Sequence, residues 1–148
     1  MKSVVASSFG PAPTMHIEQR PVPSPREGYT LVRMHAATVN PLSSQVLAGI
    51  VEHARAPLVL TNDGAGIVEH SGAFEPGTRV AIYGGAALGV TEDGLQQQWA
   101  LVQDKRIIRL PDSITLDQGA AFPINYVTAY QALTRIGQVK DGQTVLIS

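Results

Sequence analysis

Through the first two-thirds of the chain, apolar and polar positions alternate in short runs that glycine and proline keep interrupting. Val4-Val5-Ala6, followed by Ser7-Ser8, reads as a strand closed by the turn Gly10-Pro11-Ala12-Pro13. Met15 to Arg20 alternates apolar with polar, the pattern of a half-buried strand. Pro21, Pro23 and Pro25 hold the next link extended, because each fixes its own φ and restricts the residue before it. Tyr29 to Ala36 alternates again. Asn40-Pro41 marks a helix start, since Asn caps well and Pro suits the first helical position. A short helix is predicted over residues 41–47, with Gly49 as its stop.

Asp63-Gly64-Ala65-Gly66 predicts a tight backbone approach running into a strand at Ile67-Val68-Glu69. Pro76-Gly77 is a turn, Arg79 to Tyr83 a strand, and Gly84-Gly85 its end. Residues 98–102 and 106–110 give two more strands, the second closed by Pro111-Asp112. The period then changes. Thr115 with Gln118 three residues on is a capping box, and Ala120, Ala121 and Phe122, then Tyr126, Ala129, Tyr130 and Leu133, carry helical spacing. Pro123 predicts a split into one helix ending near Phe122 and another from about Ile124 to Ile136. Gly137 stops the second, Asp141-Gly142 turns, and Thr144 to Ile147 reads as a buried strand. A β-rich unit thus gives way near Leu110 to something α/β, and the last strand reads as cut off before what it would lead into.

Composition narrows what such a chain can do. Its 148 residues hold 14 Gly and 10 Pro, consistent with many turns, and no Cys. Disulfides, thiolate zinc sites, iron–sulfur clusters and a cysteine nucleophile are therefore excluded within it. A net charge of −1 supplies no basic field for a phosphate backbone, so no nucleic-acid partner is expected. No run approaches the ~18 apolar residues of a membrane span, and no secretory signal opens the chain, so the cytoplasm is the expected location.

Candidate chemistry is sparse. His16, His35, His53 and His70 are not at metal-ligand spacing and read as surface or strand residues. Ser43 and Ser44 lack the Gly-x-Ser-x-Gly elbow of a serine nucleophile. Asn40 can be a helix cap or can aim its amide at a cleft. Asp63-Gly64-Ala65-Gly66 can be a close-packed turn or a place where a ligand nears bare backbone. Thr128 reads as a helix Thr bonded to a carbonyl. No catalytic residue and no metal ligand emerges from these residues one by one.

Taken in order they resemble a family. Val39-Asn40-Pro41, Pro57 with Asp63-Gly64-Ala65-Gly66-Ile67-Val68, Pro76-Gly77-Thr78-Arg79-Val80 and Leu110-Pro111 form the first part of the series. Ala120-Ala121, Thr128-Ala129-Tyr130-Gln131-Ala132-Leu133 and Gly142-Gln143-Thr144-Val145-Leu146-Ile147 complete it. The series resembles the medium-chain dehydrogenase/reductase superfamily, and within it the zinc-free quinone oxidoreductase branch. The resemblance implies a mainly β fold with short helices: a GroES-like partly open β-barrel over residues 1–112. Residues 113–148 would be the first helices and first strand of a truncated α/β Rossmann domain. It implies NADPH as cofactor, with Asn40 by the nicotinamide ribose and Thr128 near the nicotinamide end. Ser43, Asp63 and Tyr83 are the substrate-cleft candidates.

The family's Gly-rich pyrophosphate turn would follow Ser148, so these 148 residues alone are expected to bind NADPH poorly and to be inactive. Zinc-using relatives have a Cys near Val39-Asn40-Pro41 and Gly-His-Glu where this chain has Thr61-Asn62-Asp63, so no zinc is expected. Without a Lewis acid, reduction of a quinone, enone or other carbonyl acceptor suits the residues better than alcohol oxidation. Two departures stand out: Ser43 replaces a frequent Asp, and Gln45 replaces a Tyr that is a candidate proton donor in enoyl reductases. Any homodimer would form through the domain not present. The alternative is a GroES-like binding or interaction module that natively ends near residue 148.

Overall fold

A computed structural model describes residues 1–147. Eight strands build two sheets. β1 (Lys2–Ser8), β2 (Thr14–Gln19) and β4 (Leu58–Val59) form a three-stranded sheet in the order β2-β1-β4. β3 (Tyr29–Ala37), β5 (Asp63–His70), β6 (Arg79–Tyr83), β7 (Trp99–Gln103) and β8 (Ile107–Arg109) form a five-stranded sheet in the order β7-β3-β5-β6-β8. All the strand pairs are antiparallel. The segment around residues 94–98 stitches the sheets together: Leu95 N–H donates to Leu60 O (3.0 Å), Val4 N–H to Gln96 O (2.9 Å) and Met34 N–H to Gln98 O (2.9 Å). The result is a partly open barrel.

Its interior is aliphatic. Val32, Val68, Val80, Ile82, Leu88, Leu95, Ala100 and Val102 pack as one buried cluster. A second cluster packs α1 (Pro41–Leu47) through Val46 against Ala6, Leu58 and Leu60. A third lies on the outer face of the large sheet, where Ala65 and Ala81 meet Leu110 and Ala120. Small residues are required there because the C-terminal helix sits directly on the sheet.

Two strands approach more closely than side chains would allow. A Cβ on Gly66 would lie 2.3 Å from the Arg33 carbonyl oxygen, and one on Gly64 would lie 2.7 Å from that of Ala36. The predicted tight approach is therefore present, inside β5 rather than ahead of it.

The helical region departs from expectation. Thr115 caps it as predicted, with Gln118 N–H donating to Thr115 Oγ1 (3.2 Å) and Thr115 N–H donating to Gln118 Oε1 (2.9 Å). Pro123 does not divide it. Leu116–Ala121 is α-helical, Phe122–Tyr126 widens to a π turn, Val127–Gln131 returns to α and Ala132–Ile136 ends in a second π turn. Proline lacks an N–H and its ring crowds the carbonyl four residues back. The wider turn accommodates both without breaking the helix.

Two strand expectations are also corrected. β2 forms, but as a largely exposed strand rather than a half-buried one. It is the outer strand of the small sheet and nothing covers Met15 or Ile17. Thr144 to Ile147 is not a strand, since among the described residues no neighbouring strand offers it a ladder, and Leu146 and Ile147 are exposed. Ser148, which follows that predicted strand, lies outside the described residues. The two-residue strand β4 was too short to be visible in the apolar pattern. Among the described residues no helix is long and apolar enough to cross a membrane.

Gly66→Ala is expected to destabilise the protein by about 2 kcal/mol, because the added methyl meets backbone that cannot move aside. Gly72→Ala meets nothing within 4 Å and is expected to be neutral to within about 0.5 kcal/mol. Urea unfolding of both variants checks the pair, and equal midpoints would contradict the close approach.

Candidate functional site

Four chain segments converge on one cleft of about 680 Å³. Asn40, Pro41 and Leu42 open α1, and Asn62 precedes β5. Tyr83 ends β6, with Gly85 and Ala86 behind it, and Ile124, Asn125, Thr128, Ala129 and Ala132 belong to the C-terminal helix. The cleft therefore lies between the barrel rim and that helix.

Asn40 occupies the N-cap position of α1 yet makes no cap bond with its side chain. Its amide nitrogen donates instead to Asp63 Oδ1 (2.8 Å) and to Thr38 Oγ1 (3.1 Å). Thr38 Oγ1 donates in turn to the same Asp63 oxygen. The chain leaving β3 is extended, so Thr38 and Asn40 project to one side and reach the same carboxylate. Asp63 begins β5 directly opposite, paired with Tyr83 across the sheet.

Asp63 is completely buried, and among the described residues its Oδ2 has no hydrogen-bond partner. Burial pushes its carboxyl above the ordinary carboxylate value. The bonds from Thr38 and Asn40 pull the other way, as does the Ile124 backbone amide, which lies near without closing a bond to Oδ2.

Asn62 is also held. Its side-chain amide nitrogen donates to Gly85 O (2.9 Å) and its backbone carbonyl accepts from Gly84 N–H (2.6 Å), tying the loop after β6 to the cleft wall. Just before it, Thr61 has a positive φ of 79° and donates from Oγ1 to Thr38 O (2.8 Å). The hydroxyl bond anchors a backbone conformation that a β-branched residue rarely adopts.

Of the residues singled out in the sequence, Asn40, Tyr83 and Thr128 line the cleft. Asp63 lies beneath it and Ser43 is buried within α1, so neither forms its surface. Thr38 was missed, although its position two residues before Asn40 in an extended stretch is a signal the sequence does contain. Asn62 had been weighed only as a position where a metal ligand is absent. Asn125 was missed as well, because the uninterrupted course of the helix through Pro123 sets which residues face the cleft. Among the described residues no three His, Cys, Asp or Glu side chains gather in metal-binding geometry.

Residues 26–112 match the family model of the alcohol dehydrogenase GroES-like domain. The chain belongs to that family. Through this domain it is a member of the medium-chain dehydrogenase/reductase superfamily, as the ordered motifs implied. The GroES-like chain is 32% identical over 155 aligned positions to the quinone oxidoreductase of Homo sapiens, covering 99% of its own length and 45% of that protein. It is 30% identical over 133 positions to a zinc-type alcohol dehydrogenase-like protein of Schizosaccharomyces pombe, covering 90% of its own length and 41% of that protein. It thus spans less than half the length of the curated relatives it matches. An oxidoreductase from Salmonella enterica, solved in complex with NADP, shares the fold at a TM-score of 0.80 and 18% identity, over 93% of this chain and 43% of that one.

The buried carboxylate gives a signed expectation. A carboxyl whose pKa is raised on folding contributes stability below its unfolded value and loses it as pH rises through the folded value. Asp63→Asn removes that ionisation. The unfolding free energy of the variant relative to the native chain is therefore expected to improve between pH 4 and pH 7. Urea titrations at both pH values test this, and a difference that stays flat or moves the other way contradicts it.

Proposed function

We propose that the chain is the substrate-side domain of an NADPH-dependent, zinc-independent oxidoreductase that reduces a quinone, enone or related carbonyl acceptor in the cleft between barrel and helix. What carries this reading is the convergence of Asn40, Asn62, Tyr83 and Thr128 on one cleft from four separate segments. The quinone oxidoreductase relative and the NADP complex of a protein of the same fold support it.

When bound, the nicotinamide supplies a hydride. Asn40 and Thr128 present a carboxamide and a hydroxyl that suit the cofactor's nicotinamide half. Both face the cleft, and both can bond a sugar hydroxyl or a carboxamide. Tyr83 offers a phenol on the cleft wall, half exposed, where an acceptor oxygen can meet it.

The residues do not fit a catalytic zinc. Asn62 stands where zinc-using relatives have a His, and it commits its amide nitrogen to Gly85. The adjacent Asp63 commits one oxygen to Thr38 and Asn40 and is sealed below the surface. A primary amide is a weak zinc ligand beside imidazole or thiolate. An alkoxide would lack its usual stabilisation, so an electron-poor acceptor is the better substrate.

The test uses the full-length protein that carries this chain, supplied with NADPH deuterated at the transferred position. Deuterium at the β-carbon of a reduced enone, or a primary isotope effect on quinone reduction, is expected. Absence of both across a panel of quinones and enones sinks the reading. Thr128→Val is expected to raise the KM for NADPH about fivefold to tenfold through loss of one hydrogen bond. An unchanged KM removes Thr128 from the cofactor site.

One observation favours a second reading, a non-catalytic interaction module: Phe122, Tyr126, Tyr130 and Ile136 leave an exposed apolar surface on the C-terminal helix. The isotope experiment separates the two readings, since a module of that kind transfers no label.

A further inference from the structure

The bonds around Asp63 fix which end of the Asn40 carboxamide faces the cleft. Asp63 Oδ1 accepts from both the Thr38 hydroxyl and the Asn40 amide nitrogen. Because Oδ1 already receives two donors, a proton taken up by this carboxyl resides on the unpartnered Oδ2. Oδ1 therefore remains an acceptor in both protonation states. Asn40 Nδ2 donates to this bonded pair of oxygens, Asp63 Oδ1 and Thr38 Oγ1, which lie together on one side of the nitrogen. The nitrogen end of the carboxamide is therefore held toward Asp63, behind the cleft wall. Among the described residues nothing donates to Asn40 Oδ1, and that atom is not among the buried unpartnered ones, so it opens toward the cleft that Asn40 lines.

We propose that Asp63 is a positioning residue for cofactor binding: by holding the amide nitrogen of Asn40, with Thr38, it turns the Asn40 carbonyl oxygen into the cleft. The ligand group received at that oxygen is a hydrogen-bond donor, a sugar hydroxyl. This rests on the reading of the cleft as a cofactor site. It also accounts for a carboxylate kept in a buried position at a cost in stability. An apolar residue at 63 could fill the space, but it would release the amide to rotate and present either end.

The orientation is tested on this chain by 1H–15N spectroscopy. The Asn40 side-chain amide proton directed at Asp63 is expected to exchange with solvent at least about tenfold more slowly than either side-chain amide proton of Asn125, which lies on the cleft's helical wall. In Asp63→Asn, whose amide can donate or accept, that protection is expected to fall away, whereas Thr38→Ser keeps the hydroxyl and the protection. The functional arm measures NADPH affinity of the full-length protein from the fluorescence of the reduced nicotinamide. Asp63→Asn is expected to weaken binding about tenfold and to raise KM with kcat nearly unchanged, while Thr38→Ser binds like wild type.

Protection that survives in Asp63→Asn, or NADPH affinity that is unchanged, overturns the proposal. A wild-type protein that binds NADPH but transfers no hydride overturns the oxidoreductase reading and leaves this proposal standing. One that does not bind NADPH overturns both.

Discussion

A fully buried carboxylate holds the cleft in register. Asp63 begins β5, Thr38 follows β3, and Asn40 precedes α1, so a single side chain ties two strands and a helix together at the barrel rim. Isolated burial of such a group costs several kcal/mol, and two donors offset only part of that. The remaining oxygen is unpaired. A design aimed at stability alone would not keep this arrangement. It becomes intelligible once the amide it holds has to face one way, since hydrogen-bonding polarity is information that apolar packing cannot carry.

The helix that closes the other side of the cleft depends on a different accommodation. Pro123 falls where a helix would ordinarily kink or end, and a π turn carries it through. Thr128 therefore continues the same helical body that Thr115 caps and Ala120 seats on the sheet. Gly119 permits that seating, because a Cβ there would lie 2.4 Å from a Leu110 methyl. The distance from barrel rim to the Thr128 hydroxyl is thus set by a glycine contact and a widened turn.

Most of the barrel was legible in the sequence because period-2 alternation and Gly-Pro punctuation are local signals. β1, β3, β6 and the capped helix start all follow from them. What escaped was non-local. Whether β2 buries a face depends on what lies over it, and whether Thr144 to Ile147 forms a strand depends on a neighbour to pair with. The site divides the same way. Asn40 and Thr128 emerged through an ordered motif series, Tyr83 only as a cleft candidate at a strand end, and the three share a cleft. Thr38 carries no motif, and its importance appears only when the extended chain places its hydroxyl beside a carboxylate twenty-five residues away. Ser43 and Asp63 have the chemistry of cleft residues but lie beneath the surface.

The loop packed beside the cleft has a consequence for how such a protein can change. Gly84, Gly89 and Gly94 bring one loop against the backbone of residues 60–62, with no room for a methyl group between the chains. That seam is main chain packed on main chain, while Tyr83, Ala86 and Asn125 line the cleft beside it. Wall residues can therefore be exchanged with little effect on the scaffold that supports them. The cleft lining can drift quickly among descendants of this fold, whereas the glycines of that loop admit almost no variation.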